Sequence, residues 1–312
     1  MLTWSILGGM SAAMNAPAAE DTALTATLRA DVTALAGNIG VRAAYVGDSL
    51  TRAARHIESR LAGAGWAVRR QVFPVSKWEC ANLEVEVRGR TRPEEIVVIG
   101  AHYDTVPESP GADDNASGVA ALLALAGDFA RTRPERTLRF VAFANEEPVY
   151  FQTEFMGSLV YARACKRRGE RIVAMVSLES IGYFSDVRGS QDYPFPLSFF
   201  YPSRGNFVAV VGNRESRALV RQVTRAFRAT KVLPCESAAL PDVLPGIGWS
   251  DHWAFWREGY PAVMVTGTAT YRNPHYHQPT DKPDTLDYER LAAAVRGLRA
   301  VVAELAGSRE NR

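Results

Sequence analysis

The sequence predicts a single α/β domain in which a central mixed, mostly parallel sheet lies between helical layers. Three observations predict it. Apolar runs of strand length alternate with stretches of helical periodicity along most of the chain. Several runs, such as 96–99, are continuously apolar, as strands covered on both faces are. A length of 312 residues, 47% of them apolar, is enough to bury a substantial core.

The elements follow in order. From Thr22, the residues Leu24, Leu28, Val32 and Leu35 recur at helical spacing. Asp48 then caps a second helix carrying Leu50, Ala54, Ile57 and Leu61, which Gly63 and Gly65 stop. Strands are expected over 66–75, 83–87 and 96–99, then a helix over 118–130 and a strand over 138–143. Next come a helix near 158–167, a strand over 172–178, helices near 216–229 and 251–257, a strand over 262–266 and a last helix over 287–306. Residues 183–207, rich in Pro, Gly, Ser and aromatic side chains, break this rhythm and read as a long loop over one face of the same domain.

Residues 1–20 are rich in Ala, Met and Gly and hold no Lys or Arg, so they lack the basic region of a secretory leader. They are set apart as a flexible or leader-like N-terminal segment, with 21–308 as the domain and 309–312 as a tail. No run approaches the roughly 18 apolar residues of a bilayer span. A soluble protein is expected, in the cytoplasm or secreted. Lys plus Arg number 36 against 34 Asp plus Glu, and the net charge of +2 gives no electrostatic reason to expect nucleic acid or an anionic membrane as partner. Cys80, Cys165 and Cys235 are far apart and form no C-x-x-C, which argues against a disulfide framework and a thiolate zinc site. Any metal must be held by His and carboxylate.

In a doubly wound sheet, ligands bind outside the carboxyl ends of the strands. His102, Tyr103 and Asp104 follow one apolar run, Asn145, Glu146 and Glu147 a second, Glu179 a third, and a loop with His275, Tyr276 and His277 follows the last. Asp113, Asp114 and Asn115 open the helix at 118. Taken alone, 113–117 reads as a helix N-cap and Glu146 with Glu147 as a solvated strand end. Glu179 reads differently, because a charge abutting a buried apolar run needs a partner, which a metal ion would supply. His56 reads as a surface residue, and His252 as a helix-start residue with a local orienting role. Asn115-Ala116-Ser117 is a glycosylation triplet by pattern only.

The series Ala101-His102-Tyr103-Asp104-Thr105, Gly111 through Gly118, Asn145-Glu146-Glu147, Leu178 through Tyr183, and Tyr276-His277 followed by Asp284-Thr285 resembles the co-catalytic di-zinc aminopeptidases. That family also includes glutamate carboxypeptidases and glutaminyl cyclases, and the resemblance runs from about residue 28 to the C-terminal helix. It implies a zinc-exopeptidase, phosphorylase/hydrolase-like fold and two zinc ions per chain. Asp114 would bridge them, with His102 and Glu179 completing one ligand set and Glu147 and His277 the other. Several members have Asp where this chain has Glu179. The resemblance also implies Glu146 as general base, Asp104 as the carboxylate behind His102, and Tyr276 as an oxyanion donor. The substrates would be peptides with a free amino terminus. Asp113 and His275 rank below Asp114 and His277 as ligands. Two other readings stay open, a glutaminyl cyclase with one zinc and a metal-free receptor or scaffold, although every ligand position is filled. The chain has no H-E-x-x-H and no G-x-S-x-G, so the common zincin and serine-hydrolase routes are closed. The rings of the 183–207 loop, Phe184, Tyr193, Phe195, Phe199, Phe200 and Tyr201, are expected to wall a substrate pocket that favours apolar first residues.

Overall fold

The strand residues Ile96 and Val98 pack with one set of helices and Val97 and Ile99 with another, which is the alternation expected of a strand in the middle of a layered fold. The computed structural model describes residues 16–308, and among these eight strands form one sheet. They are β1 (Arg69–Val75), β2 (Trp78–Val87), β3 (Arg92–His102), β4 (Arg136–Phe143), β5 (Arg171–Glu179), β6 (Val208–Gly212), β7 (Cys235–Ala239) and β8 (Ala262–Thr266). Their order is β1-β2-β4-β3-β5-β8-β6-β7. β4, β3, β5 and β8 run parallel as neighbours, and β6 pairs parallel with β7. β1 with β2, β2 with β4, and β6 with β8 are antiparallel, so the sheet is mixed as expected.

One face is covered by α1 (Ala16–Val32), α2 (Ser49–Gly63), α3 (Gly118–Phe129), α5 (Arg217–Ala229) and α7 (Tyr288–Ala306), and the other by α4 (Gly157–Arg167) and α6 (His252–Arg257). On α7, Leu291, Val295, Leu298, Val302 and Leu305 bury one helical stripe. Asp287 caps this helix by accepting from the Arg290 N–H at 2.9 Å, and Gly307, left-handed at φ 71°, ends it. Asp48 stands at the head of α2 as expected but makes no side-chain cap bond. α1 begins at Ala16, inside the segment set apart from sequence. The rest of that segment and the tail lie outside the described residues.

β6 and β7 were not expected: each is five residues long, and the β7 sequence, Cys-Glu-Ser-Ala-Ala, holds no apolar run. The parallel direction of β3, β4 and β5 brings their carboxyl ends to one edge, where His102, Glu146, Glu147 and Glu179 emerge together. No described helix is long and apolar enough to cross a membrane.

Candidate metal centre

Two imidazoles and four carboxylates meet at this edge. His102 Nε2 lies 3.3 Å from Asp114 Oδ1 and 3.3 Å from Glu179 Oε2. His277 Nε2 lies 3.0 Å from Asp114 Oδ2 and 3.2 Å from Glu147 Oε2. Asp114 therefore turns one oxygen to each imidazole. Glu146 Oε2 is 3.9 Å from His102 Nε2 and stands beside both groups. His102, Asp114, Glu146, Glu147 and Glu179 are all buried, and His277 is partly exposed.

The backbone fixes these directions. Asn145, Ser180 and His277 hold left-handed φ values of 59°, 48° and 59°, a strained conformation for residues with a Cβ, next to or at the clustered side chains. Asp104 accepts the backbone N–H groups of Glu146 and Glu147, each at 3.0 Å, and so sets the end of β4. Its distance of 3.6 Å to His102 Nδ1 is that of an ion pair rather than a hydrogen bond. Asp281 plays the matching part for the other loop, accepting the Asp113 N–H at 2.9 Å and the Asp114 N–H at 3.2 Å. Glu179 takes hydroxyl donors from Ser180 and Ser250, both at 2.8 Å.

Asp113 is consumed by structure: it accepts from the Gly182 and Tyr183 N–H groups and from Asn273 Nδ2. His275 turns away to Thr280 Oγ1 at 2.9 Å. Both side chains are thus engaged outside the two imidazole–carboxylate groups. Asn115 is buried, with its amide bonded to the Leu178 carbonyl, which makes the glycosylation triplet unusable in the folded chain. His252 is buried against the Ile247 carbonyl at 2.7 Å, and burial lowers its imidazole to about 4. Tyr276 is stacked on His277 with ring centroids 3.9 Å apart.

Sequence reasoning missed Arg42, Asp281, Ser250 and Asp251. Arg42 is fully buried beneath the cluster, and its guanidinium donates to the carbonyls of Leu35, Gly40, Tyr103, Pro110 and Gly111, lacing together the loops on either side of His102 and Asp114. Carbonyl partners leave no mark in a sequence. Asp281 did leave one, a carboxylate four residues beyond His277 in the same polar loop. Asp251, next to Ser250 in the chain, is buried with neither oxygen in hydrogen-bonding geometry.

Electrostatics show what the cluster lacks. Burial, with Glu147, Glu179 and Asp251 nearby, pushes the Glu146 carboxyl well above the usual range despite His102. Burial and Asp114 push Glu147 up to about 8. Burial would lower His277, but Asp114 and Glu147 outweigh it and raise the imidazole to about 10. His102 is likewise raised well above its usual value, by Glu179, Glu146, Asp104 and Asp114 against the effect of burial. So much buried negative charge is stable only with added positive charge. His277 Nε2 and Glu147 Oε1 are buried with no partner in hydrogen-bonding geometry although His277 lies close to carboxylates. The donors converge without bonding one another, and His102, Asp114 and Glu147 each offer a ligand atom within 4.8 Å of the others. Nitrogen and oxygen donors of this kind fit Zn²⁺.

Beside the cluster a cavity of about 110 Å³ opens between Glu179 and Tyr276 at one end and Glu236 on β7 at the other. Tyr193, Leu197, Tyr201 and Phe207 wall it from the 183–207 loop, over a floor of Ala209, Val211 and Met264. Of the six rings expected to wall a pocket, two, Tyr193 and Tyr201, line this cavity. Phe195, Phe199 and Phe200 instead face solvent, 85%, 76% and 77% exposed, and Phe184 packs into the core.

A model of peptidase family M28 matches residues 82–302. The chain is 39% identical over 260 residues to the uncharacterised protein YfbL of Escherichia coli, covering 80% of this chain and 79% of that one. It is 26% identical over 243 residues to the probable leucine aminopeptidase 1 of Trichophyton verrucosum, covering 73% of this chain and 59% of the relative, so it spans less than two thirds of that protein. The zinc aminopeptidase BSAP of Bacillus subtilis shares the fold, with a TM-score of 0.71 over 90% of this chain and 94% of that one at 16% identity.

Proposed function

The chain belongs to peptidase family M28, and from that premise we propose that it is a zinc-dependent aminopeptidase releasing the first residue of peptides with a free amino terminus. The observation that carries this reading is the pair of imidazole–carboxylate groups sharing Asp114 at the mouth of an apolar cavity. We assign two zinc ions, one to His102, Asp114 and Glu179 and one to His277, Asp114 and Glu147. When bound, zinc supplies Lewis acidity toward water and the scissile carbonyl.

The rest falls to the chain's own residues. Glu146, beside both groups but matched to neither, takes a proton from the attacking water at its carboxylate and returns it to the leaving amine. Burial holds its carboxyl above the usual range and so makes it a stronger base once ionised. Tyr276 lines both the cavity and the cluster, so its hydroxyl can donate to the carbonyl oxygen as negative charge develops there. Asp104 holds the backbone that aims Glu146 and Glu147. The aromatic wall of the cavity orients an apolar first side chain and keeps water from it.

Chromogenic amides of leucine, phenylalanine and alanine, set against their N-acetylated forms with and without chelator, test this together with metal analysis. Hydrolysis of the free-amine amides alone, abolished by chelator, is expected, with two zinc ions per chain. Equal turnover of the acetylated amides would sink the aminopeptidase assignment. Conversion of glutaminyl peptides to pyroglutamyl products without hydrolysis would establish the cyclase reading in its place.

A further inference from the structure

Arg272 sits between β8 and the loop that carries Tyr276 and His277, and it is only 6% exposed. Its guanidinium lies over the Phe207 ring at 4.6 Å and faces Phe184 at 5.8 Å. Those two rings mark the end and the beginning of the loop that walls the cavity. Arg272 Nε donates to Gln191 Oε1 at 2.8 Å, and Gln191 Nε2 donates onward to Thr268 Oγ1 at 2.9 Å. Gly205 closes over the same side chain: a Cβ there would fall 2.8 Å from Arg272 Cγ and Cδ, so only glycine lets the loop approach. The next residue, Asn273, donates to Asp113 Oδ2 at 2.9 Å, one position before Asp114. One side chain thus meets the start, middle and end of the 183–207 loop, and its neighbour in the chain braces the metal-site loop.

The chemistry is costly for a merely structural role. Both Nη atoms of Arg272 are buried without a hydrogen-bond partner. An apolar side chain of similar length would fill the slot with no cation to desolvate. The guanidinium does offer what a flexible hydrocarbon lacks: a flat face fixed on Phe207 and a directional Nε–H fixed on Gln191. Burial lowers the guanidinium to about 10, so it stays charged at neutral pH.

We propose that Arg272 is a positioning residue that locks the wall of the first-residue cavity, Tyr193, Tyr201 and Phe207, to the loop bearing Tyr276 and His277. Its effect is on selectivity rather than on proton transfer or metal holding. This rests on the aminopeptidase reading for its kinetic consequence, though not for its structural one.

Arg272→Met and Arg272→Lys, each compared with the unaltered enzyme, test it. Arg272→Met should keep its zinc content and unfold at the same or a higher temperature. Its KM for phenylalanyl and leucyl amides should rise about tenfold with kcat changed less than about threefold, while the alanyl amide, too small to reach the wall, should change less than about twofold. Arg272→Lys keeps a cation over Phe207 and should fall between the two. Hydrogen exchange without substrate should quicken across 183–207 in Arg272→Met and stay unchanged in α7. Equal losses on all three amides, or unchanged exchange in the loop, would overturn the proposal. If the unaltered enzyme hydrolyses no aminoacyl amide, the aminopeptidase reading fails, and the exchange comparison alone still decides whether Arg272 locks the loop.

Discussion

Glu146 and Glu147 are neighbours in sequence with different surroundings: Glu147 Oε2 is 3.2 Å from His277 Nε2, whereas Glu146 Oε2 stays 3.9 Å from His102 Nε2. Past the left-handed Asn145, with both of their backbone N–H groups held by Asp104, the two side chains enter different surroundings, so one can ligate while the other handles protons. Glu146→Gln should keep zinc and substrate binding and lose turnover by roughly 10²–10⁴-fold, the usual range for lost acid–base catalysis. Glu147→Gln should lose part of its zinc, with added zinc restoring some activity. Metal stoichiometry and turnover of the two variants decide it, and zinc lost from the Glu146 variant alone would reverse the assignment. His102, Glu146, Glu147 and Glu179 stood out in the sequence because each follows an apolar run, where strand direction fixes the edge it reaches, whereas Asp114 and His277 were singled out by the family resemblance. Arg42 and Asp281 were not assigned, because their partners are backbone atoms of remote loops and hydrophobic periodicity says nothing of them.

Among the elements, the long apolar runs and the short apolar run of β8 were read from sequence, whereas β6 and β7 were not. β3 and β5 carry enough consecutive apolar residues to stand out, whereas the five residues of β7 become a strand only by pairing with β6. The helix boundaries agree within a few residues because Gly and Asp punctuate them, as at Gly63, Asp287 and Gly307. What no periodicity reveals is how two helices meet. α7 crosses α5 at Gly297, where a Cβ would fall 2.3 Å from Phe227 Cε2. Phe227 is fully buried and cannot swing aside cheaply. Gly297→Ala should therefore destabilise the fold by about 1–3 kcal/mol, the usual penalty for overpacking a core, despite alanine's better helix propensity. Denaturant unfolding measures this, and a gain in stability would show that the two helices separate more easily than their packing implies.

Across the whole molecule, several buried acids and the two cluster imidazoles hold protons that the unfolded chain would release, against the single opposite effect of His252 in this pH range. Burial raises Asp113 to about 6, Asp251 to about 7, and Glu147 and Asp281 to about 8. His277 is raised to about 10 by Asp114 and Glu147, which outweigh its burial. Unfolded carboxyls titrate near 4 and imidazoles near 6.5, so between about pH 5 and 8 the folded chain binds more protons than the unfolded one. Stability must then fall as pH rises through that window. After chelation, the unfolding temperature should decline from pH 5.5 to 8, and zinc should flatten the dependence by supplying charge in place of protons. A chelated protein that gains stability over this range would contradict the linkage. The same cluster also constrains how the molecule is made. Its side chains come from positions as distant as 102 and 277, and the Asp281 carboxylate that steadies the backbone of Asp113 and Asp114 comes later still. On the ribosome, His102 and the four acids emerge first and wait in water, while the second imidazole and the Asp281 anchor follow roughly a hundred residues after Glu179. A chain stopped before His277 therefore carries one imidazole–carboxylate group and lacks the second imidazole and the Asp281 anchor of the shared Asp114 loop.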